Sequence, residues 1–256
     1  CRSIRKRSPM QVSIIIPTRG HSPHLIESLS RCTELDCEDY EIIVLSDEPL
    51  SLNFPQTRVV VTGKITPSQK RNLGAELANG EILAFLDDDA FPQSDWVRRS
   101  IDVLSTTSAG AVCGPGISAP TDDEMELAAS YVIESPLVAG PVRYRFLPSK
   151  TRIVDDFPTS NLLMRKSVFQ DAGGFDPSLY PGEDTKLCLD ITYKIGRYII
   201  YRPDIIVYHH RRPLFGPHLA QIAQYARTRG RFARVYPETS RKMPQRHASG
   251  GCLCPE

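Results

Sequence analysis

The chain has 256 residues, of which 41% are hydrophobic and 24% charged, with a formal charge of +1. That length and balance fit one large α/β domain, or two small ones, with a substantial core, and they argue against an obligate nucleic-acid binder. No run of 18 apolar residues occurs, so no segment is expected to span a bilayer unaided. The first residues, Cys1 to Arg7, are basic without a following apolar core of signal-peptide length. Seven cysteines at irregular spacing argue against a disulfide framework and for a reducing compartment, so a cytoplasmic location is expected.

The apolar run Val12 to Ile16 reads as a buried strand ended by Pro17-Thr18-Arg19-Gly20. A helix follows over His24 to Thr33, with Leu25, Leu29 and Cys32 inward. Glu41 to Leu45 is a second strand ending at Ser46-Asp47, and Arg58 to Thr62 a third. Continuous apolar strands separated by helical patterns predict a mostly parallel sheet covered on both faces. Residues 67 to 80 read as a helix with Ser68 as its cap and Gly80 as its stop. Lys70 and Arg71 lie in its first turn, where cations oppose the helix dipole. They are expected either to face an anion or to be solvated on the surface.

Ile82 to Leu86 is the next strand, and it ends in Asp87-Asp88-Asp89. Hard carboxylate ligands at the carboxyl end of a strand suit a divalent cation on a substrate phosphate. In extended chain Asp87 and Asp89 share one side while Asp88 faces away. Helices are expected over Asp95 to Leu104 and Asp123 to Ile133. A short strand covers Ala111 to Gly114, and 115 to 152 is otherwise an irregular, substrate-specific insertion. Asn161 to Met164 is a strand, Lys166 to Ala172 a helix and Gly173 to Pro177 a tight turn. Glu183 to Ile195 is a helix whose first turn carries Glu183-Asp184, either as helix-start acids or as a general base facing a crevice. Tyr198 to Tyr201 and Ile205 to Tyr208 are strands, the second running into His209-His210. A last helix, His218 to Arg231, has Leu219, Ile222, Ala223 and Ala226 on one side.

Charge is uneven along the chain. Between Arg197 and Arg246 there are ten Arg and one Lys against Asp204 and Glu238. Such a field could hold a diphosphate or an anionic membrane surface, and a peripheral membrane contact is the partner it suggests. No GxGxxG turn follows Val12 to Ile16 and no GxxxxGK[ST] loop is present, so dinucleotide redox chemistry and P-loop hydrolysis lose their usual fingerprints.

The order of these motifs resembles the inverting family 2 glycosyltransferases with the type A (GT-A) nucleotide-sugar-binding fold. The resemblance rests on Val12 to Thr18, Glu41 to Val44 with Asp47, Arg71-Asn72-Leu73-Gly74 with Gly80-Glu81, and Phe85 to Asp89. It continues through Gly173 to Asp176, Gly182 to Thr185, Gly196, Pro203 and Tyr208-His209-His210. It implies a single three-layer α/β domain with a mixed, mostly parallel central sheet over 10–236. The nucleotide-binding half would be 10–89, the acceptor half 90–212 and a basic C-terminal helix 213–236, with loosely ordered tails at 1–9 and 237–256.

The reaction it implies is sugar transfer from a nucleoside diphosphate sugar to a hydroxyl on a glycan, lipid-linked or small-molecule acceptor, with Mn2+ or Mg2+. Asp89 would be the main metal ligand, helped by Asp87 and His209. Pro17, Thr18, Asp47, Arg71, Asp87 and Asp88 would line the donor site. Asp184 would be the catalytic base and Glu183 would orient the acceptor. Ser46 stands where relatives carry a first aspartate, so the donor base is left open. A sugar nucleotidyltransferase and a non-catalytic module for an anionic polymer or membrane are the competing expectations.

Overall fold

The computed structural model describes residues 12–236, so the two terminal tails lie outside the described residues. In chain order the strands are β1 (Val12–Thr18), β2 (Tyr40–Ser46), β3 (Thr57–Val61), β4 (Ile82–Phe85), β5 (Ala90–Pro92), β6 (Ala111–Cys113), β7 (Gly116–Ser118), β8 (Arg152–Val154), β9 (Leu162–Arg165), β10 (Ile199–Tyr201) and β11 (Val207–His209). The helices are α1 (Pro23–Cys32), α2 (Pro67–Leu77), α3 (Trp96–Thr106), α4 (Glu124–Glu134), α5 (Pro136–Ala139), α6 (Lys166–Ala172), α7 (Glu183–Leu189) and α8 (Gly216–Val235).

Eight strands form one mixed sheet in the order β3-β2-β1-β4-β9-β6-β10-β8. The first four are mutually parallel, and β9 enters antiparallel between β4 and β6. Alternate residues of the buried strands feed two cores, as the period of two in a strand requires. Ile14, Ile16, Ile42 and Val44 pack against Leu25 and Leu29 of α1 and Trp96 and Val97 of α3. Ile15, Ile43 and Leu45 pack on the other face against Ala75 of α2, Phe169 of α6 and Leu187 of α7. This is the three-layer α/β arrangement that the apolar runs predict.

A second sheet, β5-β11-β7, was not anticipated from sequence. Its strands have three residues each, too few to show a period. β5 follows directly on the three aspartates, and its antiparallel register pairs Ala90 with His209. One buried side chain joins the two sheets. Trp96 Nε1 donates to Asn161 Oδ1 at 2.8 Å, and Asn161 Nδ2 donates to the carbonyls of Gly114 and Ile205, each at 2.8 Å. The backbones at Gly114 and Ile205 approach so closely that a Cβ on Gly114 would lie 1.9 Å from the Ile205 carbonyl oxygen.

Several element limits differ from the sequence expectation for local reasons. The cap of α2 is Thr66, not Ser68: Thr66 and Gln69 form a reciprocal capping box with Pro67 at the first helical position. The helix beginning at Glu183 changes at Asp190 to a π-helical turn through Lys194. The segment after β7 is not an irregular loop throughout, since α4, α5 and a 3-10 turn over Gly140–Arg145 fill much of it.

The outward apolar stripe of α8 is not packed on the domain. Leu219 is 59% exposed, and Ile222, Ala223 and Ala226 are exposed as well. The helix docks through its other side. Phe232 is buried and lies so close to Gly182 that a Cβ there would sit 2.4 Å from its ring, while Arg229 donates to Asp156 at 2.7 Å. No helix among the described residues is long and apolar enough to cross a membrane.

Candidate active site

The carboxyl ends of the parallel strands β1, β2 and β4 lie along one edge of the sheet, the edge at which open α/β sheets bind ligands. Asp87, Asp88 and Asp89 leave β4 there and diverge. Asp88 turns back to β1 and accepts a hydrogen bond from Thr18 Oγ1 at 2.6 Å. Burial, with Asp89 and Asp87 close by, pushes its carboxyl up to about 6 despite that bond. Asp87 and Asp89 face the other way and meet His209, so that one ligand atom from each lies within 4.8 Å of the others. His209 Nε2 is 3.0 Å from Asp89 Oδ1. The β5–β11 register brings this histidine to Asp89, because the backbone N–H of His210 donates to the Asp89 carbonyl at 2.9 Å. Two carboxylates and an imidazole suit Mn2+ better than Mg2+, which prefers an all-oxygen octahedron.

Lys70 and Arg71 are not solvated surface charges; they are 3% and 5% exposed. Lys70 Nζ donates to the Asp47 carboxylate and to the Thr18 carbonyl, tying the ends of β1 and β2 together. Asp47 is therefore ion-paired beside the strand ends on which donor-base contact was expected. Arg71 links the end of β4 to the start of α7: NH2 bonds Asp87 at 2.7 Å and NH1 bonds Glu183 at 3.0 Å. Burial opposes its charge, but the two carboxylates outweigh that and hold its pKa above the ordinary value. Both terminal nitrogens of Arg71 are thus engaged by protein groups.

The two acids of the α7 start differ sharply. Glu183 is consumed by Arg71 and by the Gly182 N–H, which donates to it at 3.0 Å. Asp184 forms no direct ion pair among the described residues, although the Arg71 charge is near enough to favour its ionised form, and it accepts from its neighbour's backbone, Thr185 N, at 2.8 Å. Burial, Glu183 and Asp156 together lift its carboxyl to about 7, the range in which a general base both ionises and accepts a proton. Pro17 lies buried at the end of β1, next to Thr18.

One residue that only the basic segment hinted at is Arg211. Its guanidinium donates to the Gly116 carbonyl, lies 3.3 Å from His209 Nδ1 and covers the Phe146 ring. It has no carboxylate ion pair among the described residues, and its Nε is buried without a partner. Burial lowers its pKa, only partly offset by Glu134, Asp122 and Asp89. This weakly compensated guanidinium is joined to Asp89 through His209.

Comparison with known proteins bears on the family and the fold. A family model described as "Glycosyl transferase family 2" matches residues 13–173. The pre-mycofactocin glycosyltransferase of Mycobacterium tuberculosis is 27% identical over 187 residues, covering 73% of this chain and 38% of that protein. Glycosyltransferase AglE of Haloferax volcanii is 25% identical over 218 residues, 79% of this chain and 67% of that protein. The chain thus spans about two fifths of the length of the mycobacterial relative. Among solved structures, the mannosyltransferase PcManGT of Pyrobaculum calidifontis, in complex with GDP-Man and Mn2+, superposes with a TM-score of 0.63. It is 18% identical, with 90% of this chain and 65% of that one covered. S. aureus TarS 1-349 with UDP-GlcNAc gives a TM-score of 0.61 at 16% identity, covering 88% of this chain and 66% of that one.

Proposed function

The chain belongs to glycosyl transferase family 2, and from that premise we propose that it catalyses metal-dependent, inverting transfer of a sugar from a nucleoside diphosphate sugar to a hydroxyl acceptor. The observation that carries this reading is the Arg71 bridge. By bonding both Asp87 and Glu183 it links the metal-capable triad to the start of α7, which carries Asp184, and this supports the reading.

In this mechanism Asp184 accepts the acceptor hydroxyl proton as the oxygen attacks the anomeric carbon. The bond from that carbon to the diphosphate oxygen breaks on the opposite face, and one displacement inverts the centre. Glu183 cannot serve as the base while Arg71 and the Gly182 N–H occupy it; its role is to orient. A divalent cation held by Asp87, Asp89 and His209 would supply charge neutralisation for the departing diphosphate. Arg211, which has no carboxylate ion pair among the described residues, would share that work, Arg71 being already paired. Pro17, Thr18, Asp88 and the Asp47–Lys70 pair form the wall on which the nucleoside would rest. The donor complexes of PcManGT and TarS support a nucleotide sugar in this fold.

The test is turnover on a panel of UDP-, GDP- and dTDP-sugars with Mn2+, reading sugar release with and without hydroxyl acceptors. Metal-dependent release from at least one donor is expected. Folded protein that neither binds a nucleotide nor turns over any donor would favour a non-catalytic binding module.

A membrane-facing role for α8 is favoured by one observation, its exposed apolar stripe of Leu219, Ile222, Ala223 and Ala226 beside the exposed Arg227, Arg231 and Arg234. Such a helix suits peripheral contact with an anionic bilayer, each basic residue at the surface contributing about 1 kcal/mol.

A further inference from the structure

Behind the β11 strap, on the side of His210 rather than His209, lies a second group of metal-capable side chains that the transfer reaction does not use. His24 and Glu27 are three residues apart in the first turns of α1, so they share a face. His210 enters from the end of β11, and Asp122 from the segment between β7 and α4. His210 is almost fully buried; its Nδ1 is 2.6 Å from Asp122 Oδ1 and its Nε2 is 2.9 Å from Glu27 Oε2. The His24 ring lies against the His210 ring, centroids 4.2 Å apart. One ligand atom from each of His24, Glu27 and His210 lies within 4.8 Å of the others.

The geometry points to a second cation site, distinct from the Asp87–Asp89–His209 triad, in which His24, Glu27 and His210 Nε2 bind a zinc-class transition-metal dication. Two imidazoles and one carboxylate are the ligand set that zinc favours, and it leaves a fourth position open. The surrounding shell is already built. The Asp122 side chain is completely buried and sits on Nδ1 of His210, the carboxylate–histidine arrangement that aims the other ring nitrogen at a metal. Its second oxygen is buried with no hydrogen-bond partner. Thr121 Oγ1 donates to the free oxygen of Glu27 at 3.3 Å. Neither nitrogen of His24 has a hydrogen-bond partner among the described residues. Closing the three ligands onto zinc bonds of about 2.1 Å asks for about 1 Å of side-chain movement. Such an ion would join α1, the β7–α4 segment and the β11 strap, and so brace His209 from behind.

A metal-free alternative exists in the same atoms: an imidazolium of His210 clamped between Asp122 and Glu27, donating from both nitrogens. The two differ in metal content, which is measurable without turnover. The full chain carrying Asp89→Asn, which disables the donor-side triad, is stripped with EDTA, loaded with Zn2+ alone, desalted and weighed by native mass spectrometry. About one retained zinc per chain is expected. Adding His24→Gln or Glu27→Gln should remove it, with the far-UV circular dichroism and the EDTA-state Tm unchanged. Co2+ in place of zinc should give a visible absorption band in Asp89→Asn protein that His24→Gln abolishes. No retained zinc in the Asp89→Asn protein would overturn the proposal, as would zinc that survives both added substitutions and so resides on other ligands, such as Asp122, Glu126 and His210 or cysteines.

Discussion

Replacing Asp184 with Asn separates catalysis from stability, because the side chain is expected to help one and burden the other. The substitution keeps the shape and the acceptor oxygen for Thr185 N but cannot take a proton. Transfer should fall by about 100-fold or more, the usual scale for loss of general-base help. The stability effect has the opposite sign. Asp184 prefers its proton up to about 7 in the fold against 3.8 in an ordinary setting. The native state therefore binds more protons than the unfolded chain between those values, and wild-type stability declines as pH rises through that window. At about 1.4 kcal/mol per tenfold change in proton affinity the cost at pH 8 is about 4 kcal/mol, which partial contact with water trims to about 2 kcal/mol. Asp184→Asn should accordingly be more stable than wild type at pH 8 and indistinguishable from it near pH 4. Urea denaturation at both pH values, with initial rates in parallel, measures both effects. In the wild type, kcat/KM should drop about tenfold per pH unit below about 7. Ordinary turnover by the variant, or a variant less stable at pH 8, would refute the reasoning.

Arg71→Met should strand Asp87 and Glu183 without their cation and destabilise the fold by about 3–5 kcal/mol, read as a large fall in Tm. Arg211→Gln is expected to weaken nucleoside diphosphate binding about 10-fold or more while leaving the monophosphate nearly unaffected, a contrast that calorimetry on the two ligands would expose. Gly114→Ala places a Cβ against the Ile205 carbonyl, so the variant should lose more than about 3 kcal/mol or fail to fold in a solubility and denaturation comparison. Co-sedimentation with vesicles of graded anionic lipid content should show binding that weakens on Ile222→Glu; absence of binding at low salt would remove the membrane contact.

The strands that carry the site were legible because β1, β2 and β4 are buried on both faces and so appear as unbroken apolar runs. The aspartates at the end of β4 stand out against such a run. What could not be read is pairing across long sequence separations. Nothing local to α2 says that Lys70 and Arg71 are buried, because their carboxylate partners lie on β2, β4 and α7. The placing of His209 on Asp89 depends on the register of three-residue strands, which have no detectable pattern of their own. The contrast between Glu183 and Asp184 came from the family resemblance alone, because by local pattern both are first-turn acids. The Arg71 contact engages one and leaves the other. His24 read as an ordinary helix-start residue for the same reason, its neighbour His210 being far along the chain.

The most direct test of a metal-linked donor site is calorimetry of nucleoside diphosphate binding to wild type and Asp89→Ala, each with and without Mn2+, on proteins matched by circular dichroism. Binding that tightens with Mn2+ in the wild type, and is weak and indifferent to Mn2+ in Asp89→Ala, is the predicted result. Equal, equally Mn2+-responsive binding by the two proteins would contradict it.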